Sequence, residues 1–337
     1  MSKEDYTGIW VYAEQEKGVL SKTVFELLAK SADLKKKLGG RDEITAVVLG
    51  KSVSGLCGEL FSYGAEKVIV AENDNLAEYS PRPYAKVLTA LAEKYKPSIF
   101  LLPASAQGRD VAPRVMCNLR TGLTADAIDL DVDGEGVFVQ TTPNFGGNIL
   151  SHICIKERRP QMVTVHPKVF SPNEPVPGAA GKVITEKVEV EADDCYTVTD
   201  VTPRVFEGKP ISDCDVLVAG GRGIKDEGDL RMLSELAQLL GGELACARPL
   251  ADCGWLPHEK QIGQSGTTVK PRFILNTAIS GSVQYQAGMH DANCIMSINH
   301  TAGAPIWDVS HYGAVADYTK LVPALIAEIK RRKSGNG

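Results

Sequence analysis

The stretch 215–242, DVLVAGGRGIKDEGDLRMLSELAQLLGG, sets the architecture of its half of the chain. DVLVAG is a short, apolar, β-branched run ending on glycine, the pattern of a buried strand. Leu230, Leu233, Leu236, Ala237 and Leu240 then recur at helical spacing, and Gly241-Gly242 supplies the stop. A strand, a tight turn and an amphipathic helix are the first parts of a parallel crossover unit. RFILNTAI (272–279) and ANCIMSINH (292–300) read as further buried strands, and YTKLVPALIAEIKRRK (318–333) as a terminal helix.

The turn AGGRGIKDEG allows two readings. A strand feeding a glycine turn at a helix start offers free N–H groups and the positive end of a helix dipole to an anion. Asp226 and Glu227 can equally saturate that helix end themselves. The fingerprint G-x-G-x-x-G fails at Asp226, and a phosphate loop fails at Asp229, where Lys-Ser/Thr is needed. Two other segments have the same character. GQSG (263–266) places the Ser265 hydroxyl between Gly263 and Gly266, and AISGS (278–282) ends a strand and opens the helix SVQYQAGM. Helix starts after Gly221 and Gly281, with the GQSG loop, can together hold a pyrophosphate; tight turns in a glycine-rich domain are the plainer alternative.

Upstream, GIWVYAE, ITAVVLG, KVIVAEN and SIFLLPA are strand-like runs alternating with helical ones. Val24, Leu27, Leu28 and Leu34 mark one helix face, closed by Gly39-Gly40, so a parallel sheet with covering helices is expected. Past Asp110, GVFVQTTP, NILSHICIK and QMVTVHP read as strands separated by turns. The Pro-rich SPNEPVPGAAG is irregular, KVITEKVEVEADD is acidic and strand-like, and a linker is expected from there to EGKPIS. The expected domains are 1–205 and 206–337, both α/β.

Bulk composition narrows the function. The 337 residues carry a net charge of −5, with 43% hydrophobic and 23% charged residues, ordinary for about two globular domains. Such a balance argues against nucleic acid as a partner. The lysine clusters at 35–37 and 330–333 fall in helical patterns and read as solvated faces. No apolar run approaches the roughly 20 residues of a membrane span, and MSKEDYTGIWVYAEQ has no signal core, so a soluble cytoplasmic protein is expected. Eight cysteines lack any C-x-x-C, and six histidines lack any H-E-x-x-H, so reduced thiols and no metal site are expected.

The ordered segments GQSG, AISGSVQYQAGM and IMSINHTAGAPIWDVSHYGAVADYTKLVPAL resemble the α subunit of electron transfer flavoprotein. PASAQGRDVAPRVMCNLRTGLTADA, FGGNILSHI and RRPQMVTVHP extend the resemblance over nearly the whole chain. It implies an N-terminal parallel-sheet domain of the adenine-nucleotide-hydrolase kind, with additional strands, that contacts a β subunit. It implies a Rossmann-like C-terminal domain that holds one FAD. Arg248 would lie against the flavin ring, where a fixed guanidinium favours a negatively charged reduced ring; taken alone, it is a surface cation in an ion pair. Ser265 would hydrogen-bond flavin N5, with Gln264 and Gly266 shaping that loop. Ser280 and Gly281 would meet the pyrophosphate, with Ser282, Gln284 and Gly223 beside them and Arg222 neutralising charge. Asn299 and Asp317 would belong with the adenosine half. Tyr285 departs from the family by standing where a histidine is common near flavin O2, and Thr267 stands where a lysine is common.

The resemblance makes the chain an electron carrier between flavoprotein dehydrogenases, such as the acyl-CoA dehydrogenases of fatty acid β-oxidation, and other redox partners. It also admits an NADH-oxidising, electron-bifurcating form with a second FAD in the β subunit. The untargeted N-terminus and the cysteine content lean toward that form. The competing class is an adenine-nucleotide (AMP or ATP) module using the N-terminal sheet; a yellow preparation separates the two. An NAD-dependent dehydrogenase is disfavoured by the broken fingerprint.

Overall fold

The computed structural model describes residues 5–144, 149–193, 195, 198–202 and 209–334. The chain divides into two compact units, Met1–Val201 and Thr202–Gly337. The expected boundary at 205/206 and the start of EGKPIS lie outside the described residues, as does Asn148 of NILSHICIK.

The first unit opens with β1 (Ile9–Tyr12), the short pair β2 (Gln15–Glu16) and β3 (Val19–Leu20), and α1 (Lys22–Lys37). Then follow β4 (Ile44–Gly50), α2 (Cys57–Ser62), β5 (Lys67–Glu72), α3 (Pro81–Tyr95), β6 (Ile99–Pro103) and α4 (Ala106–Leu119). Strands β7 (Leu123–Ala127), β8 (Asp129–Val132), β9 (Phe138–Asn144), β10 (Ile149–Ile153), β11 (Gln161–Val165) and β12 (Lys182–Lys187) complete it. Seven strands pair in parallel in the order β12-β5-β4-β1-β6-β11-β7. The antiparallel sheet β10-β9-β8 is inserted between β7 and β11.

Alternation along each strand explains why these runs are apolar throughout. Ile9, Val11, Ala46, Val48, Val68 and Val70 share the face covered by α1 and α2, and Val24, Leu27, Leu28 and Leu34 of α1 are all buried. Trp10, Val47, Leu49, Ile69 and Phe100 face the other way, onto Leu88 and Leu91 of α3 and Val111 and Val115 of α4. A parallel sheet covered on both faces needs hydrophobic side chains at every position, each contributing about 1.5–3 kcal/mol when fully buried. The lysine clusters are solvated and paired, Lys35 with Glu66, Lys37 with Asp131 and Lys330 with Glu235.

The second unit runs β13 (Val216–Gly220), α5 (Glu227–Leu239), β14 (Glu243–Ala247), α6 (Arg248–Asp252), β15 (Gln261–Ile262), β16 (Phe273–Thr277), α7 (Val283–Gln286), β17 (Ile295–Asn299), β18 (Tyr312–Val315) and α8 (Tyr318–Ser334). All six strands are parallel, in the order β15-β14-β13-β16-β17-β18. This is the doubly wound order 3-2-1-4-5-6 of dinucleotide-binding sheets. Val218, Leu275 and Ile298 pack against Leu230, Leu233 and Leu236 of α5 and Val322 and Ile326 of α8. On the opposite face Leu217, Ala219, Ala245 and Ile274 meet Tyr285, Met289 and Ile306, carried on loops and short helices. The α/β class expected from the sequence therefore holds for both units. The helix expected over SVQYQAGM is short: α7 is four residues, Val283–Gln286.

Candidate functional site

In a doubly wound sheet the binding crevice opens outside the carboxyl ends of the strands, where the strand order reverses. The reversal falls between β13 and β16. Their ends run into Gly221-Arg222-Gly223 and Ile279-Ser280-Gly281. A cleft of about 440 Å³ opens at this point, lined from β13 by Gly221 and Arg222 and from β16 by Ser280, Gly281 and Ser282. Arg248 and Asp252 of α6, the loop residues Gln264 and Ser265, and Gln284 and Tyr285 complete its walls.

Two glycines keep the crevice open. A Cβ on Gly221 would stand 2.4 Å from the Ala278 carbonyl oxygen, and one on Gly281 would stand 2.5 Å from the Ile306 nitrogen. Gly281 also has φ +83°, a conformation other residues rarely adopt. Among the described residues, the main-chain N–H groups of Ser280, Gly281 and Ser282 have no acceptor. Three consecutive unpaired donors at a strand end form an anion-binding concavity.

The other glycine turn behaves differently from its sequence reading. Gly221 N–H donates to the Thr277 carbonyl and Gly223 N–H to the Ala278 carbonyl. Helix α5 begins only at Glu227, and its N-cap Asp226 accepts from Gly228 N–H at 2.6 Å. Asp226 thus caps this helix end with its own carboxylate, which disfavours a ligand phosphate there. What this turn brings to the cleft is the Arg222 side chain, exposed and without an ion pair among the described residues. The turn is fixed from behind by Tyr318, whose hydroxyl donates to Asp229 at 2.6 Å and accepts from Lys225 N–H.

Arg248 stands at the cleft rim, 67% exposed, with Nε 3.2 Å from the Asp252 carboxylate one turn along α6. Exposed ion pairs of this kind contribute little to stability, so the guanidinium is available to a ligand. Ser265, also in the cleft lining, is exposed. Its Oγ accepts from Gln261 Nε2 at 3.0 Å, which leaves the hydroxyl hydrogen free to donate. Gln264 N–H is tied to the Gln284 carbonyl at 2.8 Å, joining the two loops.

Tyr285 is buried, at 3% exposure, and its hydroxyl donates inward to Asn276 Oδ1 at 2.6 Å. Burial, with a smaller contribution from the Cys246 thiol, pushes this phenol well above the ordinary tyrosine range, so it is neutral at any physiological pH.

A second recess of about 220 Å³ begins at Gly223 and Ala278 and is lined by Asn299, His300, Asp317 and Tyr318. Asp317 is exposed; hydrogen bonds from the Thr319 hydroxyl and N–H lower its pKa. Asn299 is engaged on both sides, Nδ2 donating to the Ile279 carbonyl and Oδ1 accepting from Thr301 N–H. It shapes the recess rather than presenting a free amide.

Of the thirteen residues singled out by sequence, Arg222, Arg248, Gln264, Ser265, Ser280, Gly281, Ser282, Gln284 and Tyr285 meet in the cleft and Gly223, Asn299 and Asp317 in the recess. Gly266 lines neither; it closes the loop by donating to the Gly263 carbonyl. The sequence reading missed Gln261 and Asp252, because a lone buried glutamine and an exposed aspartate carry no motif. It also missed Gln286, whose amide ties the Gly281 and Pro305 carbonyls together. Among the described residues no group of three His, Cys, Asp or Glu could hold a metal ion, and no helix is long and apolar enough to cross a membrane.

Two arginines, three exposed serine hydroxyls and a row of free N–H groups, in a cleft with a recess beside it, suit an extended ligand with a pyrophosphate at its middle. Comparison with known proteins agrees. Residues 9–193 match the electron transfer flavoprotein domain, and residues 210–290 match the electron transfer flavoprotein FAD-binding domain. The chain is 41% identical over 337 residues to electron transfer flavoprotein subunit alpha of Clostridium acetobutylicum, covering 98% of this chain and 99% of that one. It is 42% identical over 334 residues to protein FixB of Clostridium saccharobutylicum, covering 98% of each. To the subunit LctC of the lactate dehydrogenase (NAD(+),ferredoxin) of Acetobacterium woodii it is 38% identical over 332 residues, covering 98% of this chain and 78% of that one. The chain belongs to the electron transfer flavoprotein α-subunit family, and its cofactor is FAD.

Proposed function

We propose that the crevice between β13 and β16 holds the FAD, with the pyrophosphate on the N–H groups of Ser280–Ser282, and that the chain passes electrons as one subunit of a heterodimer. The free N–H row beside two Cβ-intolerant glycines carries this reading. FAD supplies the redox chemistry: it takes up and releases electrons one or two at a time. The residues of this chain supply binding and electrostatics. Arg222 and the N–H row offset the charge of the diphosphate. Arg248 sets a cation at the flavin end of the cleft, where it raises the affinity for electrons. Ser265 offers a hydroxyl to the ring, Gln264 and Gln284 hold the two loops together, and the recess with Asn299 and Asp317 takes the adenosine.

The partner is a β subunit docked on the first unit. Electrons come from flavoprotein dehydrogenases, and in the form favoured here from NADH at a second FAD on the partner. One observation supports that form: the similarity to LctC, whose enzyme is named for NAD(+) and ferredoxin. The test is to add NADH anaerobically to the co-purified assembly and count FAD per α chain. Bleaching of the flavin, with a second FAD per α chain, is expected. One FAD and no response to NADH overturn the NADH-oxidising form and leave a shuttle fed by dehydrogenases of the acyl-CoA type. An assembly that stays colourless in excess FAD overturns the site.

A further inference from the structure

Beneath the cleft floor runs a file of polar groups, buried except for the half-buried Ser310 at its far end, that the cofactor contacts do not account for. Tyr285 OH lies 2.6 Å from Asn276 Oδ1, Asn276 Nδ2 lies 3.2 Å from Ser297 Oγ, Ser297 Oγ lies 2.7 Å from Ser310 Oγ, and Ser310 Oγ lies 2.7 Å from the Ile306 carbonyl. Tyr285, Asn276 and Ser297 are each at most 3% exposed. The last member fixes the direction of every hydrogen, because a carbonyl can only accept. Ser310 must donate to Ile306, Ser297 to Ser310, the Asn276 amide to Ser297, and the Tyr285 hydroxyl to Asn276. Turning the Asn276 amide round would use the Ser297 hydrogen on Asn276. The two serines would then share one hydrogen between two links, and one of those hydrogen bonds would be lost.

The file closes on the ligand-binding loop from both ends. Ile306, whose carbonyl terminates it, donates its own N–H to the Ser280 carbonyl at 3.0 Å. Gln286 ties the Gly281 and Pro305 carbonyls. At the other end, Tyr285 is the last residue of the Ser280–Tyr285 loop itself. The loop that carries the three free N–H groups is therefore held at its start by the 305–310 turn and at its end by the sheet. Hydroxyls on β17 and in that turn complete the connection.

We propose that Tyr285, Asn276, Ser297 and Ser310 form a positioning network that sets the Ser280–Tyr285 loop in its binding conformation before FAD arrives, making Ser297 and Ser310 determinants of FAD affinity without lining the cleft. The inference rests on the FAD site proposed above. It also gives Tyr285 a role distinct from that of a donor to the ligand, since its only hydrogen is committed inward. Preorganising a loop removes an ordering cost from binding, so loosening the file weakens affinity more than it disturbs the fold.

The test uses the full chain in its assembled form, stripped of flavin and then titrated with FAD, with deuterium uptake followed before the titration. Ser310→Ala should bind FAD roughly 3- to 10-fold more weakly, the effect of one hydrogen bond, and Ser310→Thr should return to within about twofold of the parent. Tyr285→Phe, which keeps the ring, should weaken binding in the same range. In the flavin-free protein, Ser310→Ala should speed exchange at the Tyr285 and Gln286 amides and leave the amides of β13 unchanged. FAD affinity and exchange both at parental values in Ser310→Ala and Tyr285→Phe overturn the proposal. So does faster exchange throughout the second unit, which would make the file a general part of the core. A parent protein that takes up no FAD sinks the cofactor site instead, and the exchange measurement still decides whether the file orders the loop.

Discussion

At the carboxyl edge of the first sheet, Tyr12, Glu14, Ser105 and Gln107 fill the space between β1 and β6; at the matching place in the second sheet, between β13 and β16, stand Gly221, Ser280 and Gly281. Both points are reversals of strand order, where topology alone puts a crevice. In the first unit the Gln107 amide donates to the Tyr12 hydroxyl, and the Ser105 hydroxyl donates to the Glu14 carboxylate. Gln15 Nε2 donates to the Leu49 carbonyl, and a Cβ on Gly50 would stand 2.5 Å from Val53 Cγ1. Glu14 thus brings an anion of the chain's own to the start of α4, where the helix dipole would otherwise favour a phosphate. In the second unit the strand ends carry glycine and serine, and the charges beside them are Arg222 and the exposed Arg248–Asp252 pair. Topology offers a crevice twice, and side-chain volume and charge at a few strand-end residues select one. The comparison weighs against an adenine-nucleotide site in the first sheet.

The largest expected effect contrasts the two edges directly. Gly221→Ala puts a Cβ 2.4 Å from a main-chain oxygen, whereas the atoms met by Gly50→Ala are side-chain tips. Gly221→Ala should lose most of its FAD and about 1–3 kcal/mol of stability, while Gly50→Ala keeps full flavin absorbance per chain. Equal flavin content in the two variants would break the contrast. Next comes Arg248→Ala. Its exposed pair with Asp252 matters little to folding, so the melting temperature should hold. The potential of the bound flavin should fall by about 60 mV, roughly a tenfold change in a one-electron equilibrium; an unchanged potential would remove Arg248 from the flavin end.

Ser265→Ala should shift the flavin spectrum or potential by the equivalent of about 0.5–1.5 kcal/mol, with FAD retained. Complete loss of FAD would instead show that Ser265 holds the loop through Gln261. The smallest effect belongs to the filled edge. Burial raises the Glu14 pKa above the ordinary 4.5, against the lowering by the Ser105 hydroxyl. The folded chain then binds this proton more tightly than the unfolded chain, so ionising Glu14 costs stability. The loss sets in as the pH rises from 4.5 through the raised value and persists above it. Glu14→Gln should therefore gain in melting temperature relative to the parent between pH 4.5 and 7, with FAD binding untouched. A pH-independent difference would show that Glu14 is as well solvated folded as unfolded.

Much of the fold can be read from local pattern. The run 44–50 forms β4 from its first residue to its last, and the helix face Val24, Leu27, Leu28 and Leu34 is buried as spaced. ELACA (243–247) escaped notice as β14 because its alanines and cysteine carry no β-branched signal. Ala245 and Ala247 are small because the sheet face above them receives Tyr285 and the short helices, whereas Cys246 belongs to the opposite core. Tyr312–Val315 forms β18 at the sheet edge, mostly exposed, so no apolar run announced it. The site divides in the same way. The glycine clusters, both arginines and Ser265 are visible in sequence because they interrupt regular patterns.

Composition and periodicity by themselves determined two α/β units, the absence of a nucleotide fingerprint and the segments from which a dinucleotide site can be built. They could not decide whether the Gly221 turn or the Gly281 turn keeps its N–H groups free, nor that the first sheet's edge is filled. Those outcomes depend on acceptors supplied from distant parts of the chain. Thr277 and Ala278 occupy the Gly221 and Gly223 N–H groups of the first turn, while Ile306, by taking the Ser280 carbonyl, fixes the second and leaves its N–H groups unpaired. A hydrogen bond to a carbonyl more than 20 residues away has no local signature, and only the folded chain brings the partners together.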